Sequence, residues 1–106
     1  MDLRKSQRFP AHFRIFLMPI GAKEQTGTVL DLSLGGCRIR AENSVQPGIH
    51  VALSFDFPGE KEPVRVDRAA VRWSAGEEFG VYFVTMAVRE HERLKRILKS
   101  LEESAQ

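Results

Sequence analysis

Two arginines separated by three residues stand near the start of the chain, in Arg4-Lys5-Ser6-Gln7-Arg8, immediately before Phe9-Pro10. A guanidinium is a planar fork of N–H donors suited to phosphates and other planar acceptors. An extended backbone sets the two Cα atoms about 13 Å apart, and a helical turn sets the side chains on one face. Either way both reach one bulky ligand. Asp31-Leu32-Ser33-Leu34-Gly35-Gly36 is the second feature of this kind. Along an extended chain its carboxylate and hydroxyl point to one side and its leucines to the other. The two glycines permit positive φ in a tight turn and a close approach of ligand to backbone. Each feature also has an ordinary reading. Basic arms are often solvated tails, and Asp, Ser and Gly-Gly often do no more than build a hairpin turn.

Little else in the chain points to reaction chemistry. His12, His50 and His91 are far apart and match no metal or nucleophile signature, and Ser33 has no evident base. Neither enzymatic activity nor a metal or cofactor is expected. Cys37 is the single cysteine, which excludes an internal disulfide or a thiolate zinc cluster and agrees with a reducing compartment. The net charge is +2, from 16 Lys and Arg against 14 Asp and Glu, so bulk attraction to nucleic acid is weak. An anion site must come from local placement of arginines. The apolar runs are far shorter than the roughly 20 residues that cross a bilayer. No signal-peptide h-region follows Met1, so the cytoplasm is the expected compartment.

At 106 residues, 42% of them hydrophobic, the chain is expected to form one domain over 1–106. Residues 1–10 read as a flexible basic arm, 11–84 as a barrel and 86–103 as a helix. Six short runs of β pattern are separated by Gly, Pro and Asn. The first, 12–18, carries Phe13, Ile15 and Leu17 on one face, and 26–32 leads into the turn at 33–36. Cys37, Ile39 and Ala41 alternate with Arg38 and Arg40 over 37–41, the period of a half-buried strand with a basic outer face. Over 49–57, Val51, Leu53, Phe55 and Phe57 point inward. The fifth run, 63–74, changes parity between Val64 and Val66 and the later set Ala69, Val71 and Trp73, which predicts a β-bulge near Asp67 and Arg68. Phe79, Val81 and Phe83 mark the sixth. From Thr85, the candidate N-cap, the period turns helical, with Val88, Leu94, Ile97, Leu98 and Leu101 on a stripe. Closure into a small barrel removes exposed strand edges.

The two motifs in this order resemble the PilZ domain, whose members carry an RxxxR arm followed by a (D/N)xSxxG turn. Here these are Arg4 and Arg8, then Asp31, Ser33 and Gly36. The likeness continues through Val71-Arg72-Trp73 and Gly80-Val81-Tyr82-Phe83 to the terminal helix, covering nearly the whole chain. It implies a six-stranded antiparallel β-barrel with a C-terminal helix that binds cyclic di-GMP without catalysis and signals through a separate effector protein. Arginine forks match guanine O6/N7 and phosphate, so Arg4 and Arg8 suit this ligand. Asp31 accepts from guanine N1–H and N2–H, Ser33 adds a polar contact, and Gly36 keeps the turn open. By the resemblance Trp73 lies at the rim of the site; a core position on the fifth strand is the alternative. Leu3 stands where many members have an additional arginine, which favours one ligand per chain. Two other readings stay open: a PilZ-like adaptor without ligand, and a single-stranded nucleic-acid binder. The latter ranks lower because Phe13, Phe55, Phe57, Phe79 and Phe83 are all placed inward, leaving few stacking platforms.

Overall fold

The computed structural model describes residues 9–43 and 45–104. Among these residues six strands precede one helix: β1 (Phe9–Pro19), β2 (Gln25–Leu32), β3 (Gly36–Ala41), β4 (His50–Asp56), β5 (Val64–Ala75), β6 (Glu78–Thr85) and α1 (Val88–Ser104). Every pairing is antiparallel, and the strand order β1-β2-β3-β6-β5-β4 closes because β4 returns to β1. The expected closed barrel with a C-terminal helix is what forms. Alternation accounts for the interior. Ile15, Leu17, Val29, Ile39, Phe55 and Phe79 are fully buried, and Phe55 stacks on Phe57 with ring centroids 5.6 Å apart. Phe13 and Phe83 are half-buried and pack on this core, as their parity requires.

Three details depart from the sequence reading. β1 begins at Phe9 rather than at residue 12, so Phe9 and Pro10 belong to the sheet, where they face Leu32 and Asp31. Thr85 is not the helix cap. It ends β6 opposite Arg68, and the first helical bond runs from His91 N–H to Ala87 C=O at 2.9 Å. Val88 is not on the buried stripe: it is exposed, and the stripe consists of Leu94 and Leu98, both buried, with Ile97 and Leu101 packed beside them.

The parity break in β5 is a bulge at the expected place. Val51 and Leu53 are two residues apart on β4, but their partners Ala69 and Val66 are three apart on β5, so one of Asp67 and Arg68 is extra. β5 also carries a second bulge, which the apolar pattern does not mark. Val71 faces Val81 while Trp73 faces Gly80, leaving Arg72 extra.

One polar cluster fixes α1 to the barrel. Glu90 accepts the Arg65 backbone N–H at 2.8 Å and pairs with Arg93, which also donates to the carbonyls of Glu62 and Pro63 and to Glu60. Burial pushes the Glu90 carboxyl up, but the Arg65 N–H and the Arg93 guanidinium outweigh it and hold the group below its ordinary value. A carboxyl lowered on folding stabilises the native state above its unfolded pKa, and that contribution disappears as pH falls through the folded value. Glu90→Gln is expected to cost about 1 kcal/mol at neutral pH. Urea melts at pH 7 and pH 3 check this: the gap between variant and wild type narrows at the lower pH.

Candidate functional site

The Asp31 carboxylate lies on the outer wall because β2 carries a bulge of its own. Val29 faces Ile39 and Asp31 faces Arg38, so Leu30 is the extra residue on that side. In an unbroken strand Asp31 would share the inward face of Val29, which is fully buried. The extra residue rotates Asp31 outward, and Leu30 itself is buried. The bulge at Arg72 does the same for Trp73. Val71 is buried, yet Trp73, two residues on, is 42% exposed. Of the two positions the sequence left open for Trp73, the structure has the outer one, and the inward set reduces to Ala69 and Val71.

Register then joins these positions into a belt. Pro10 faces Asp31, Asp31 faces Arg38, Arg38 faces Gly80 and Gly80 faces Trp73, so β1, β2, β3, β6 and β5 each supply one residue. Arg38 Nε donates to Asp31 Oδ2 at 3.0 Å and its Nη1 to Glu78 Oε1 at 3.2 Å; Arg40 Nη2 donates to Glu78 Oε2 at 3.3 Å. The Asp31 side chain is only 18% exposed against 41% for Arg38, so the carboxylate is held in a set direction. Beside the belt the bulged Arg72 places its guanidinium over the Tyr82 ring, 5.2 Å from the centroid. Tyr82 and Trp73 are thus two exposed aromatics on this wall, which a count of phenylalanines overlooked.

Ser33 and Gly36 take roles in the turn. The Ser33 hydroxyl donates to the Gly36 carbonyl and accepts from the Gly36 N–H, both at 3.2 Å, and the Ser33 N–H reaches the same carbonyl at 2.8 Å. Ser33 is accordingly buried. Neither Gly35 nor Gly36 has positive φ. A Cβ on Gly36 would collide with the Val81 carbonyl oxygen and lie 3.1 Å from Tyr82 Cα, so glycine serves here for the close approach of β6. Gly35 meets nothing within 4 Å.

Arg4 and Arg8 lie outside the described residues. The alternation of the third run placed Arg38 on its basic outer face; the partnership of Arg38 with Asp31 depends on the β2–β3 register. Among the described residues no group of three or more His, Cys, Asp or Glu could hold a metal ion. Among the described residues no helix is long and apolar enough to cross a membrane. A cavity of about 310 Å³ lies where α1 meets the barrel, lined in part by Phe13, Phe57, Ile97 and Leu101, and it shares no residue with the belt.

The described residues thus form a closed antiparallel barrel with an acid, a guanidinium and an indole aligned across its outer wall. The PilZ domain model matches residues 2–100, and the chain belongs to the PilZ domain family, whose known role is that of cyclic di-GMP receptor and adaptor. Among solved structures it is similar to the PilZ domain of CeSA from a cellulose-synthesizing bacterium, with a TM-score of 0.71 and 18% identity over 91% of this chain and 98% of that one. It is also similar to the Bacillus subtilis inhibitor of motility MotI/DgrA, with a TM-score of 0.68 and 19% identity over 87% of this chain. The match covers 50% of the MotI/DgrA chain. At these identities the likeness is one of fold. Among curated proteins none matches.

The adjacent glycines give a direct check on the turn. Gly36→Ala forces two backbones apart and is expected to cost about 1–3 kcal/mol, whereas Gly35→Ala stays within about 0.5 kcal/mol of wild type. Denaturant midpoints of the two variants measure the difference.

Proposed function

We propose that this chain is a cyclic di-GMP receptor whose ligand lies on the outer wall of the barrel, between the belt and the segment that precedes β1. The observation that carries the reading is the register. It sets Asp31 and Trp73 on one open face and brings the first residues of β1 beside Asp31, because Pro10 is its partner. Arg8 is joined directly to Phe9, the first residue of the strand that borders the site.

Each part has a chemical task in this reading. Arg4 and Arg8 grip guanine edges and phosphodiester oxygens through paired N–H donors. Asp31 accepts from the N1–H and N2–H edge of guanine, and Trp73 offers an indole face for stacking. Ser33 and Gly36 contribute by fixing the turn that follows Asp31. The occupied face then presents a different surface to a separate effector protein, without any reaction at the site. One ligand per chain is expected, since Leu3 adds no guanidinium.

Calorimetric titration of the full chain tests this, with GTP, cyclic di-AMP and a single-stranded oligonucleotide as controls. Wild type binds cyclic di-GMP at a stoichiometry near one, and Arg4→Ala, Arg8→Ala and Asp31→Ala each lose about 5- to 150-fold in affinity. Wild-type affinity in both arginine variants would remove them from the site. Retention of the oligonucleotide with no response to cyclic di-GMP would favour the nucleic-acid reading instead.

A further inference from the structure

Gly80 sits on the outer wall of β6, yet it is buried. What covers it is Trp73. A Cβ built on Gly80 would collide with Trp73 Nε1 and fall 2.6 Å from Cε2 and 3.0 Å from Cδ1, and those three are its nearest neighbours. The pyrrole edge of the indole therefore occupies the space a side chain at position 80 would need. Backbone conformation does not require glycine there. Among the described residues positive φ falls at Gly21, Gly48, Gly59 and Gly76 and not at Gly80, so its backbone suits any L residue. At Gly36, by contrast, the nearest atoms are backbone atoms of Val81 and Tyr82.

We infer that Gly80 is a positioning residue: its missing side chain is the seat that lays the Trp73 ring across β6 toward Arg38, as a platform for a planar purine base. The inference rests on the function proposed above and deepens it. Trp73 comes from β5, its register partner is Gly80, and the partner of Gly80 on β3 is Arg38. A ring lying over Gly80 thus closes the distance between the indole and the Arg38–Asp31 pair, while the residue keeps 42% of its surface open. A side chain at position 80 would lift the ring off the strand and separate the stacking surface from the carboxylate that reads the base edge. Stacking on an indole is tolerant of base identity, so discrimination depends on the two groups acting on one base from fixed positions.

Trp73 is the only tryptophan, so its fluorescence reports the seat without any ligand. The test compares the full chain with Gly80→Ala, Trp73→Ala and the double variant, first by tryptophan emission and acrylamide quenching where the indole is present, then by calorimetry with cyclic di-GMP. Expected for Gly80→Ala are a red-shifted emission, stronger quenching and a loss of affinity of about 5- to 150-fold. Trp73→Ala loses a similar factor, and the double variant loses no more than Trp73→Ala alone. Unchanged emission and quenching in Gly80→Ala would overturn the inference, as would losses that multiply in the double variant. If wild type does not bind cyclic di-GMP, the proposed function fails, and the ligand-free fluorescence still decides the seat by the same criterion. If Gly80→Ala does not fold, the double variant decides: folding with the melting point of Trp73→Ala supports a collision with the ring, and failure to fold refutes it.

Discussion

Two extra residues, Leu30 in β2 and Arg72 in β5, decide which way the candidate site faces. A regular strand of a small barrel alternates between core and solvent, and both Asp31 and Trp73 stand on the inward parity of the valine two residues before them. An inward Asp31 would bury a carboxylate among Val29, Leu32 and Ile39, at a cost of several kcal/mol in the absence of a partner. The bulges reverse the parity locally. Each extra residue also finds a place: Leu30 is buried, and Arg72 lies over Tyr82. The interior stays apolar and the wall acquires its acid and its indole through the same two irregularities.

The belt further depends on the β3–β6 pairing, which brings the end of the sheet back to its middle. Gly36 lets β6 approach closely at Val81, and this contact sets the register in which Arg38 meets Gly80. Two glycines on neighbouring strands thus do different things. One admits a backbone and holds the barrel closed; the other admits a ring and shapes the wall. Neither uses the left-handed conformational freedom for which glycine is usually selected; among the described residues the positive φ values fall at Gly21, Gly48, Gly59 and Gly76.

Strand number, barrel closure and the terminal helix were legible because they depend on periodicity, and period-2 alternation is explicit in stretches such as Val51, Leu53, Phe55 and Phe57. The bulge at Asp67 and Arg68 was legible for the same reason, since a change of apolar parity inside one run has no other simple solution. The bulge at Leu30 was not. Val29-Leu30-Asp31-Leu32 reads as continuous alternation if Leu30 is ignored, and only the partner strand shows which residue is unpaired. Trp73 misled by its apolar character, because an indole two residues after Val71 fits an inward stripe as well as an outer wall. The link between Arg38 and Asp31 is likewise a property of register, and seven residues of separation give no local sign of it. The end of β6 ran past its last inward aromatic, Phe83, so Thr85 resembled a cap while still paired to Arg68.

Charge divides the labour of the proposed receptor between its two motifs. Among the described residues the ion-paired chain Arg40, Glu78, Arg38 and Asp31 balances two cations with two anions. Arg72 adds a positive charge beside it, held on Tyr82. A ligand with two phosphodiester charges gains little net attraction from a neutral cluster, whose fields cancel within a few ångströms. What such a cluster supplies is direction: a carboxylate fixed by Arg38 and a ring fixed on Gly80, each with its geometry set before any ligand arrives, so that little ordering cost falls on binding. The attraction has to come from cations not already paired within the belt. The sequence concentrates Arg4, Lys5 and Arg8 against the single acid Asp2 in the eight residues before β1. In this reading the RxxxR segment provides affinity that weakens with salt, while the wall provides discrimination that does not. In this reading neither motif is sufficient alone, and the Pro10–Asp31 pairing sets the start of β1 beside the turn.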